Sequence, residues 1–296
     1  MSRIAVTGSS GLIGSALVTA LRERGDEVVL LVRQAARAPD EVQWDPASRA
    51  LDPHLLDGVD GVVNLAGAGV GDRRWSPAHK HAILASRVDA TSAVAAAVAA
   101  ADHPVRLVSG SAVGFYGDRG DEEITEASPP GTAFLSDVVL AWEAAAQPAV
   151  DAGASVAFAR TGIVLAPDGG AMKPLLRLGR LGLGGPLGSG RQFMPWITLP
   201  DEVGALLHLL DHTEITGPVN LSALDPARQR EIARALGRAL HRPAVLPAPT
   251  IALRVVLGEF AGEILAGQRI VGHVLRDSGY QFVHPDLDSA VRWLVA

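Results

Sequence analysis

The chain alternates short apolar runs with longer segments whose apolar residues recur at helical spacing. The apolar runs predict six strands, at Arg3–Val6, Glu27–Val32, Val42–Trp44, Gly61–Asn64, Val105–Ser109 and Ser155–Arg160. The helical spacing predicts helices between them, at Leu12–Leu21, Pro77–Ala101 and Phe134–Ala152. Strands that alternate with helices need right-handed crossovers, which build a parallel sheet. We therefore predict an α/β chain with a doubly wound parallel-sheet Rossmann fold.

The pattern changes after Arg160. Gly179–Gly190 contains six glycines in twelve residues, a density typical of a loop. Beyond it the spacing predicts helices at Leu199–His212 and Pro226–His241, a strand at Pro218–Leu221, helices around Ile251–Leu265, and a last element at Leu287–Leu294. We assign residues 1–166, with 197–242 returning to them, to a Rossmann domain. Residues 167–196 and 243–296 are assigned to a smaller C-terminal substrate lobe.

The segment T-G-S-S-G-L-I-G, Thr7–Gly14, lies between the first strand and the first helix. Gly8 permits a tight turn, Gly11 lets backbone amides approach a pyrophosphate, and Gly14 lets helix pack on strand. The helix N-terminus, including Leu12 and Ile13, presents its amides and positive dipole end to that anion. The motif predicts a dinucleotide cradle; the alternative is a purely structural turn.

The end of the second strand indicates which dinucleotide is bound. NAD sites place an acid there for the ribose hydroxyls, whereas NADP sites use arginine for the 2′-phosphate. Here the strand ends L-L-V-R-Q with Arg33 at that position, and the first acid after it is Asp40. We therefore predict NADP(H) as the cofactor, against the alternative that Arg33 is a solvated surface residue.

Composition excludes several classes of protein. A net charge of -6 argues against nucleic acid as a partner, and the absence of cysteine excludes thiolate metal sites and disulfides. No uninterrupted apolar run reaches membrane-spanning length, and the N-terminus does not resemble a secretion signal. We expect a cytoplasmic protein with a small-molecule substrate, no metal and no membrane partner. A homodimer is one possible oligomeric state.

Three motifs placed after successive strands resemble the extended short-chain dehydrogenase/reductase superfamily: V-T-G-x-x-G-x-x-G, V-N-L-A-G and S-G-S-A-V-G-F-Y-G-D. Further segments, R-T-G-I-V-L-A-P-D-G-G, L-G-L-G-G-P-L-G-S-G-R-Q, L-G-E and G-Q-R, resemble the atypical group of NAD-dependent epimerase/dehydratase-like proteins. The resemblance covers essentially the whole chain. It implies NADP(H) binding, with further cofactor contacts at Leu65, Ala66, Gly67, Arg87, Ser109, Thr161, Gly162 and Ile163.

The chain departs from that superfamily at the catalytic residues. Members that transfer hydride use a tyrosine as acid/base and a lysine four residues later that lowers its pKa. Here the corresponding helix carries Phe134 and Val138, neither of which exchanges a proton. Two hydroxyls could substitute, those of Ser111 and Tyr116, and we name them as the candidate catalytic residues. The alternative for Tyr116 is a packing or substrate-contact role.

Substrate binding is predicted at the end of the glycine-rich loop, G-S-G-R-Q-F-M-P-W. Arg191 and Gln192 could bind a phosphate or carboxylate, and Trp196 could stack on a ring. The alternative is that Arg191 pairs with an acid of the lobe. Separately, five arginines crowd one helical region, Arg228, Arg230, Arg234, Arg238 and Arg242, which we interpret as a solvated face.

The sequence leaves three functions open. The leading hypothesis is an NADP(H)-dependent oxidoreductase acting on a small carbonyl or hydroxyl compound, which Ser111, Tyr116 and the glycine-rich loop favour. The second is a catalytically impaired NADPH-binding sensor or regulatory protein, which the missing tyrosine–lysine pair favours. The third is a nucleotide-sugar-type epimerase or dehydratase whose cofactor stays bound.

Overall fold

The computed structural model describes residues 1–296, and a seven-stranded sheet lies at its centre. In chain order the strands are β1 (Arg3–Thr7), β2 (Glu27–Val32), β3 (Glu41–Gln43), β4 (Gly61–Asn64), β5 (Arg106–Ala112), β6 (Glu123–Ile124), β7 (Val156–Thr161), β8 (Ile163–Leu165), β9 (Phe193–Met194), β10 (Trp196–Thr198), β11 (Gly217–Leu221), β12 (Ala227–Arg228) and β13 (Arg269–Ile270). The sheet order is β11-β7-β5-β4-β1-β2-β3, and every neighbouring pair is parallel. The prediction of a doubly wound Rossmann sheet is confirmed.

Helices cover both faces of this sheet. They are α1 (Leu12–Arg24), α2 (Pro77–Ala100), α3 (Phe134–Ala144), α4 (Gln147–Asp151), α5 (Met172–Arg180), α6 (Leu199–Asp211), α7 (Gln229–Ala239), α8 (Thr250–Leu257), α9 (Phe260–Leu265), α10 (His273–Asp277) and α11 (Leu287–Val295). The first core contains Leu17 of α1 and Leu206 of α6, and the second contains Val94 of α2 and Ala149 of α4. Strand β1 serves both, because Ile4 faces one core and Ala5 the other.

The chain winds from β1 outward to β3 and then crosses back to β4 on the other side of β1. The loops that leave the carboxyl ends of the paired strands β1 and β4 therefore run in opposite directions, which opens a crevice at the point where the strand order reverses. The glycine turn at Gly8–Gly14 lies at this switch point.

The C-terminal lobe has its own core. Trp196 lies in it with Leu176 of α5, Ile232 of α7 and Val291 of α11. The predicted division of the chain differs from this arrangement in two places: α7 lies in the lobe core rather than with the sheet, whereas Leu275 packs against the first core together with α6. Short-range periodicity reports that an element has an apolar face but not which of two cores receives it.

Several helices and strands differ in their boundaries from the prediction. Strand β5 runs on to Ala112, so Ser111 lies within a strand. The predicted helix Phe134–Ala152 is two helices, the second with Pro148 in its first turn, where proline is tolerated. The helical region around Ile251–Leu265 is divided at Gly258, whose φ is +65°. Helix α5 and the short strands β8, β9 and β10 were not predicted.

Helix α2 is long and apolar enough to cross a membrane by length and composition alone. In this fold its alanines and valines pack on the sheet, with Ala90, Ala93, Val94 and Ala97 fully or almost fully buried. A core helix of an α/β domain meets the same criterion, and this helix has that position.

Candidate functional site

The glycine turn forms a close-fitting cradle. Gly8 adopts φ +67°, and a Cβ there would lie 2.6 Å from the carbonyl oxygen of Leu65. A Cβ on Gly14 would collide with the carbonyl oxygen of Gly8. Gly11 caps α1 in an extended conformation (φ -77°) without a side-chain hydrogen bond. Side chains are excluded here by contact between two backbone segments.

The N-terminus of α1 has free donors. No acidic residue occupies its first turn, and the amides of Leu12, Ile13 and Gly14 donate to no protein acceptor. Unpaired amides at the positive end of a thirteen-residue helix form an anion site. These residues fit the pyrophosphate of a dinucleotide.

Thr7 acts on the loop rather than on the open cradle. Its buried hydroxyl donates to Asn64 Oδ1 at 2.7 Å and accepts from the amides of Leu65 and Ala66 at 3.0 and 3.1 Å. Asn64 in turn donates to Thr91 Oγ1 at 2.8 Å. Thr7 therefore fixes the Leu65–Gly67 segment against the glycine turn, which makes it a positioning residue.

Two arginines near the crevice have no carboxylate partner. Arg33, just beyond β2, is exposed and forms no ion pair, while the nearby Asp40 pairs with Arg22. Arg87 is half-buried, and its Nη1 donates to the carbonyl oxygens of Ala68 and Ile83 at 2.9 and 3.1 Å. Burial lowers the pKa of Arg87 to about 10.

Arg87 lies beside the loop that follows β4. A Cβ on Gly67 would be 3.1 Å from its guanidinium carbon, and the guanidinium lies 5.0 Å from the ring centroid of Trp142. The predicted Leu65, Ala66, Gly67 and Arg87 are thus adjacent, next to the cradle.

The two candidate catalytic hydroxyls belong to one closed network. Ser111 Oγ donates to Glu143 Oε1 at 2.6 Å. Arg160 donates from Nε and Nη2 to both oxygens of Glu143 at 2.8 Å. Arg160 Nη1 also donates to Tyr116 Oη at 2.9 Å, and Tyr116 donates to Asn220 Oδ1 at 2.7 Å.

This network corrects the expectation for Tyr116. Its side chain is 0% exposed, its hydroxyl is occupied on both sides, and burial raises its pKa. The tyrosine lies in a core with Phe115, Ile124 and Ile270 and has no open path to a substrate. The structure supports the packing alternative for Tyr116 and leaves Ser111 hydrogen-bonded to Glu143 instead of facing an open crevice.

The missing acid/base pair is confirmed as a physical absence at α3. Phe134 packs edge-on against Trp75 with centroids 5.0 Å apart, and Val138 is buried. Lys80 of α2 places its Nζ 4.7 Å from the Phe134 ring centroid and 2.6 Å from Glu259 of the lobe. An ammonium group therefore lies beside Phe134, although its carboxylate partner neutralises it.

The segment after β7 joins the sheet to the lobe. Gly162 donates its amide to Leu221, and Ile163 donates to the carbonyl oxygen of Pro195 at 2.6 Å. Thr161 Oγ1 donates to Glu202 Oε1 at 2.7 Å. Ser109, the other predicted residue at this edge of the sheet, is fully buried, and its hydroxyl donates to the carbonyl oxygen of Gly110.

Glu202 was not predicted as a functional residue. Its side chain is fully buried at the start of α6, its Oε2 has no hydrogen-bond partner, and burial raises its pKa to about 8. The signal in the sequence was weak, because an acid in the first turn of a helix is ordinarily a solvated capping group.

The predicted substrate residues are dispersed. Trp196 is 1% exposed in the lobe core, so the expectation that it stacks on a substrate ring is wrong. Gln192 donates to the carbonyl oxygen of Leu187 at 3.1 Å and ties the glycine-rich loop to itself. Arg191 is exposed and forms no ion pair, so the alternative that it pairs with an acid of the lobe is not observed.

The late G-Q-R motif has a structural role that the sequence did not indicate. Gln268 is buried and donates from Nε2 to the carbonyl oxygens of Val113 and Gly117 at 3.0 and 2.9 Å. It thereby fixes the loop that carries Tyr116. The structure brings together no group of three or more histidine, aspartate or glutamate side chains suited to a metal ion.

Comparison with known proteins places this geometry in context. Residues 4–221 match the family model "NAD dependent epimerase/dehydratase family", and residues 248–294 match "Domain of unknown function (DUF1731)". An epimerase family protein of Mycobacterium bovis is 44% identical over 97% of this chain and 96% of its own length. Human epimerase family protein SDR39U1 is 37% identical over 99% of this chain and all of its own.

Two solved structures are similar over almost the whole chain. The crystal structure of human SDR39U1 (isoform 2) with NADPH superposes with a TM-score of 0.91 at 36% identity, covering 99% of both chains. A nucleoside-diphosphate sugar epimerase from Corynebacterium glutamicum gives a TM-score of 0.80 at 34% identity, covering 99% of this chain and 58% of that one.

Proposed function

The chain belongs to the NAD dependent epimerase/dehydratase family, and from this premise we propose that it binds NADP(H) in the Gly8–Gly14 cradle. The observation that carries the proposal is the uncapped N-terminus of α1, with free amides and no acid in its first turn. The NADPH in the crystal structure of human SDR39U1 supports the same cofactor class.

Each part of the dinucleotide has residues suited to it. The amides of Leu12 and Ile13 would hold the pyrophosphate, and Arg33 the 2′-phosphate. The segment Leu65–Gly67 and Arg87 would border the cofactor beside the cradle. Thr161, Gly162 and Ile163 would lie toward the nicotinamide end. When bound, the nicotinamide supplies a hydride donor or acceptor.

Fluorescence titration with NADPH and NADH tests the cofactor. We expect NADPH to bind at least about tenfold more tightly, because a guanidinium–phosphate pair is worth about 1.5–3 kcal/mol. Arg33→Asp should abolish most of that preference. Arg254→Asp, an equal charge change at an exposed arginine of α8, is the matched control and should leave it intact. Equal affinities for NADPH and NADH, or an unchanged preference in Arg33→Asp, would refute the assignment.

The reaction is a separate proposal. The notable observation is the closed Ser111–Glu143–Arg160–Tyr116 network, which offers no free acid/base and favours an NADPH-binding sensor or regulatory protein over turnover. An oxidoreductase acting on a small carbonyl or hydroxyl compound is the second candidate, supported by family membership. A nucleotide-sugar epimerase or dehydratase is the third, supported by the name of the corynebacterial relative.

Absorbance at the nicotinamide band distinguishes these candidates. NADPH with a panel of aldehydes, ketones and quinones tests the oxidoreductase, and sugar nucleotides with chromatography of the products test the epimerase. Tight NADPH binding without turnover of any compound is the result expected of a sensor. Steady oxidation of NADPH with one carbonyl class would instead establish the enzyme.

A further inference from the structure

A cavity of about 560 Å³ opens on the surface of the C-terminal lobe, away from the cradle residues. It is bounded by the second half of α7 and by the loop that follows, with Pro186 of the glycine-rich loop at its edge. Its polar lining consists of three arginines and a histidine, Arg234, Arg238, His241 and Arg242. No acidic residue lines it. The volume is in the range of small-molecule sites.

The cationic groups around this cavity are largely uncompensated. Arg234 and Arg242 form no ion pair, and Arg238 has only Asp288, at 3.3 Å, with both side chains more than two-thirds exposed. The other nearby carboxylate, Glu231, accepts from the amide of Arg228 in the cap of α7. A concentration of positive charge in a chain of net charge -6 is a local feature rather than a consequence of composition.

The fold brings these four exposed side chains to one cavity. Arg234 and Arg238 are four residues apart on α7, so both project from the same face of the helix. Arg242 is tethered from the other side, because its Nε donates to the carbonyl oxygen of Arg180 at 3.1 Å. His241 between them has φ +53°, a conformation that is unfavourable for a residue with a side chain.

The floor of the cavity is closely packed. Gly237 lies under the turn, and a Cβ there would be 2.9 Å from the carbonyl oxygen of Arg242 and 2.7 Å from Ala244 Cβ. The turn at residues 241–244 is therefore pressed directly onto α7. Its geometry brings Arg242 over the same cavity that Arg234 and Arg238 face.

We propose that this cavity is a second anion site, which binds a diphosphate group between the Arg234–Arg238 pair on α7 and Arg242 on the turn. Guanidinium groups bind phosphate oxygens through paired N–H donors. Three guanidinium groups around one cavity offer more N–H donors than a single carboxylate can accept from. The solvated face expected of this arginine-rich helix is thus a recognition surface. The site is independent of NADP(H) binding, since it shares no residue with the cradle.

Isothermal titration with inorganic pyrophosphate at constant ionic strength tests the proposal. We expect two saturable sites, one at the α1 cradle that excess NADPH blocks and one that NADPH leaves open; the second should weaken about tenfold or more in Arg234→Gln/Arg238→Gln, because charge-assisted hydrogen bonds are lost. Arg254→Gln, an exposed arginine on α8 outside the cavity, is the matched control and should bind like the wild type. Absence of saturable binding in excess NADPH, or equal binding there in the double variant, would overturn the proposal.

Arg234→Lys/Arg238→Lys keeps the charge and separates recognition from general attraction. We expect affinity to fall several-fold, since an ammonium group lacks the guanidinium fork. Binding equal to that of the wild type would overturn the paired-donor geometry. This variant also keeps the test decisive if the glutamine variant melts early, which circular dichroism would reveal.

The phosphate could come from a soluble compound or from a lipid headgroup, because Leu181, Val245 and Leu246 next to the cavity are 74%, 76% and 59% exposed. Cosedimentation with phosphatidylcholine vesicles that contain a prenyl diphosphate, compared with phosphatidylcholine vesicles alone, separates the two sources. Cosedimentation that the glutamine variant loses assigns a headgroup. Pyrophosphate binding without cosedimentation assigns a soluble diphosphate.

Discussion

Two arginines, the buried Arg160 and the half-buried Arg87, have opposite surroundings. Arg160, in the network at the end of β7, is 4% exposed and contacts both oxygens of Glu143, and its guanidinium carbon lies 3.5 Å from the ring centroid of Phe115. Arg87, beside the cradle, contacts two backbone carbonyls and one indole ring and no carboxylate. One cation is neutralised within the protein, whereas the other retains its charge.

The contrast separates a structural region from a binding region. A buried charge costs free energy unless it is paired, so an unpaired one that persists in the fold is available to an external anion or dipole. By this criterion the Gly8–Gly14 cradle and Arg87 are the residues that we propose for ligand binding. The Ser111–Tyr116 side is internally satisfied, which is why we place binding before catalysis.

The strongest test of the contrast is Arg160→Met. We expect it to lower the free energy of unfolding by about 3–5 kcal/mol, because the Glu143 carboxylate, only 14% exposed, would lose its cation. Urea denaturation measures this loss. Adding Glu143→Leu should recover much of it, since no unpaired charge then remains. A single-variant loss below about 1 kcal/mol would show that the pair is solvated and the network open.

The second test concerns Glu202, which lies between the two regions beneath Thr161. Burial raises its folded-state pKa to about 8, above the ordinary glutamate value of 4.5. The folded state therefore binds more protons than the unfolded state between those values, so stability is fully present below about pH 4.5 and is lost as the pH rises through about 8.

Denaturation of the wild type at pH 5.5 and pH 8.5 should reveal a loss of about 2–3 kcal/mol, with water entry reducing the full value of the shift. Glu202→Gln removes the titrating group and should make this part of the pH dependence disappear, at the cost of the Thr161 contact only. Parallel pH profiles for the two proteins would show that Glu202 is ionised in the fold.

The cradle could be predicted from the sequence because its function depends on backbone geometry. Glycines at positions 8, 11 and 14 after an apolar strand determine both the turn and the free helix end. The same local logic identified Arg33 at the end of β2. These features need no knowledge of distant contacts. The structure places the turn between β1 and α1 and places Arg33 just beyond β2, while their cofactor contacts remain a prediction.

The polar network could not be predicted in the same way. More than forty residues of chain separate Ser111 and Tyr116 from Arg160. Their partners, Glu143 and Asn220, come from α3 and β11. From the sequence, a serine hydroxyl near the end of β5 fits both a catalytic serine and a buried hydrogen-bond donor. One usable signal was present: an arginine in the apolar strand V-A-F-A-R-T must find a carboxylate inside the protein.

Of these substitutions, Arg87→Met should have the smallest effect on stability. It tests most directly whether Arg87 differs in role from Arg160. Because burial already lowers the pKa of Arg87 and no carboxylate would be stranded, we expect unfolding in the absence of cofactor to change by about 1 kcal/mol or less. NADPH affinity, followed by fluorescence, should fall about tenfold, as expected for one lost charge-assisted contact. Methionine retains much of the packing against Trp142. The opposite pattern, a large loss of stability with unchanged NADPH affinity, would make Arg87 a structural cation like Arg160 and leave the α1 N-terminus as the principal ligand-binding feature of the crevice.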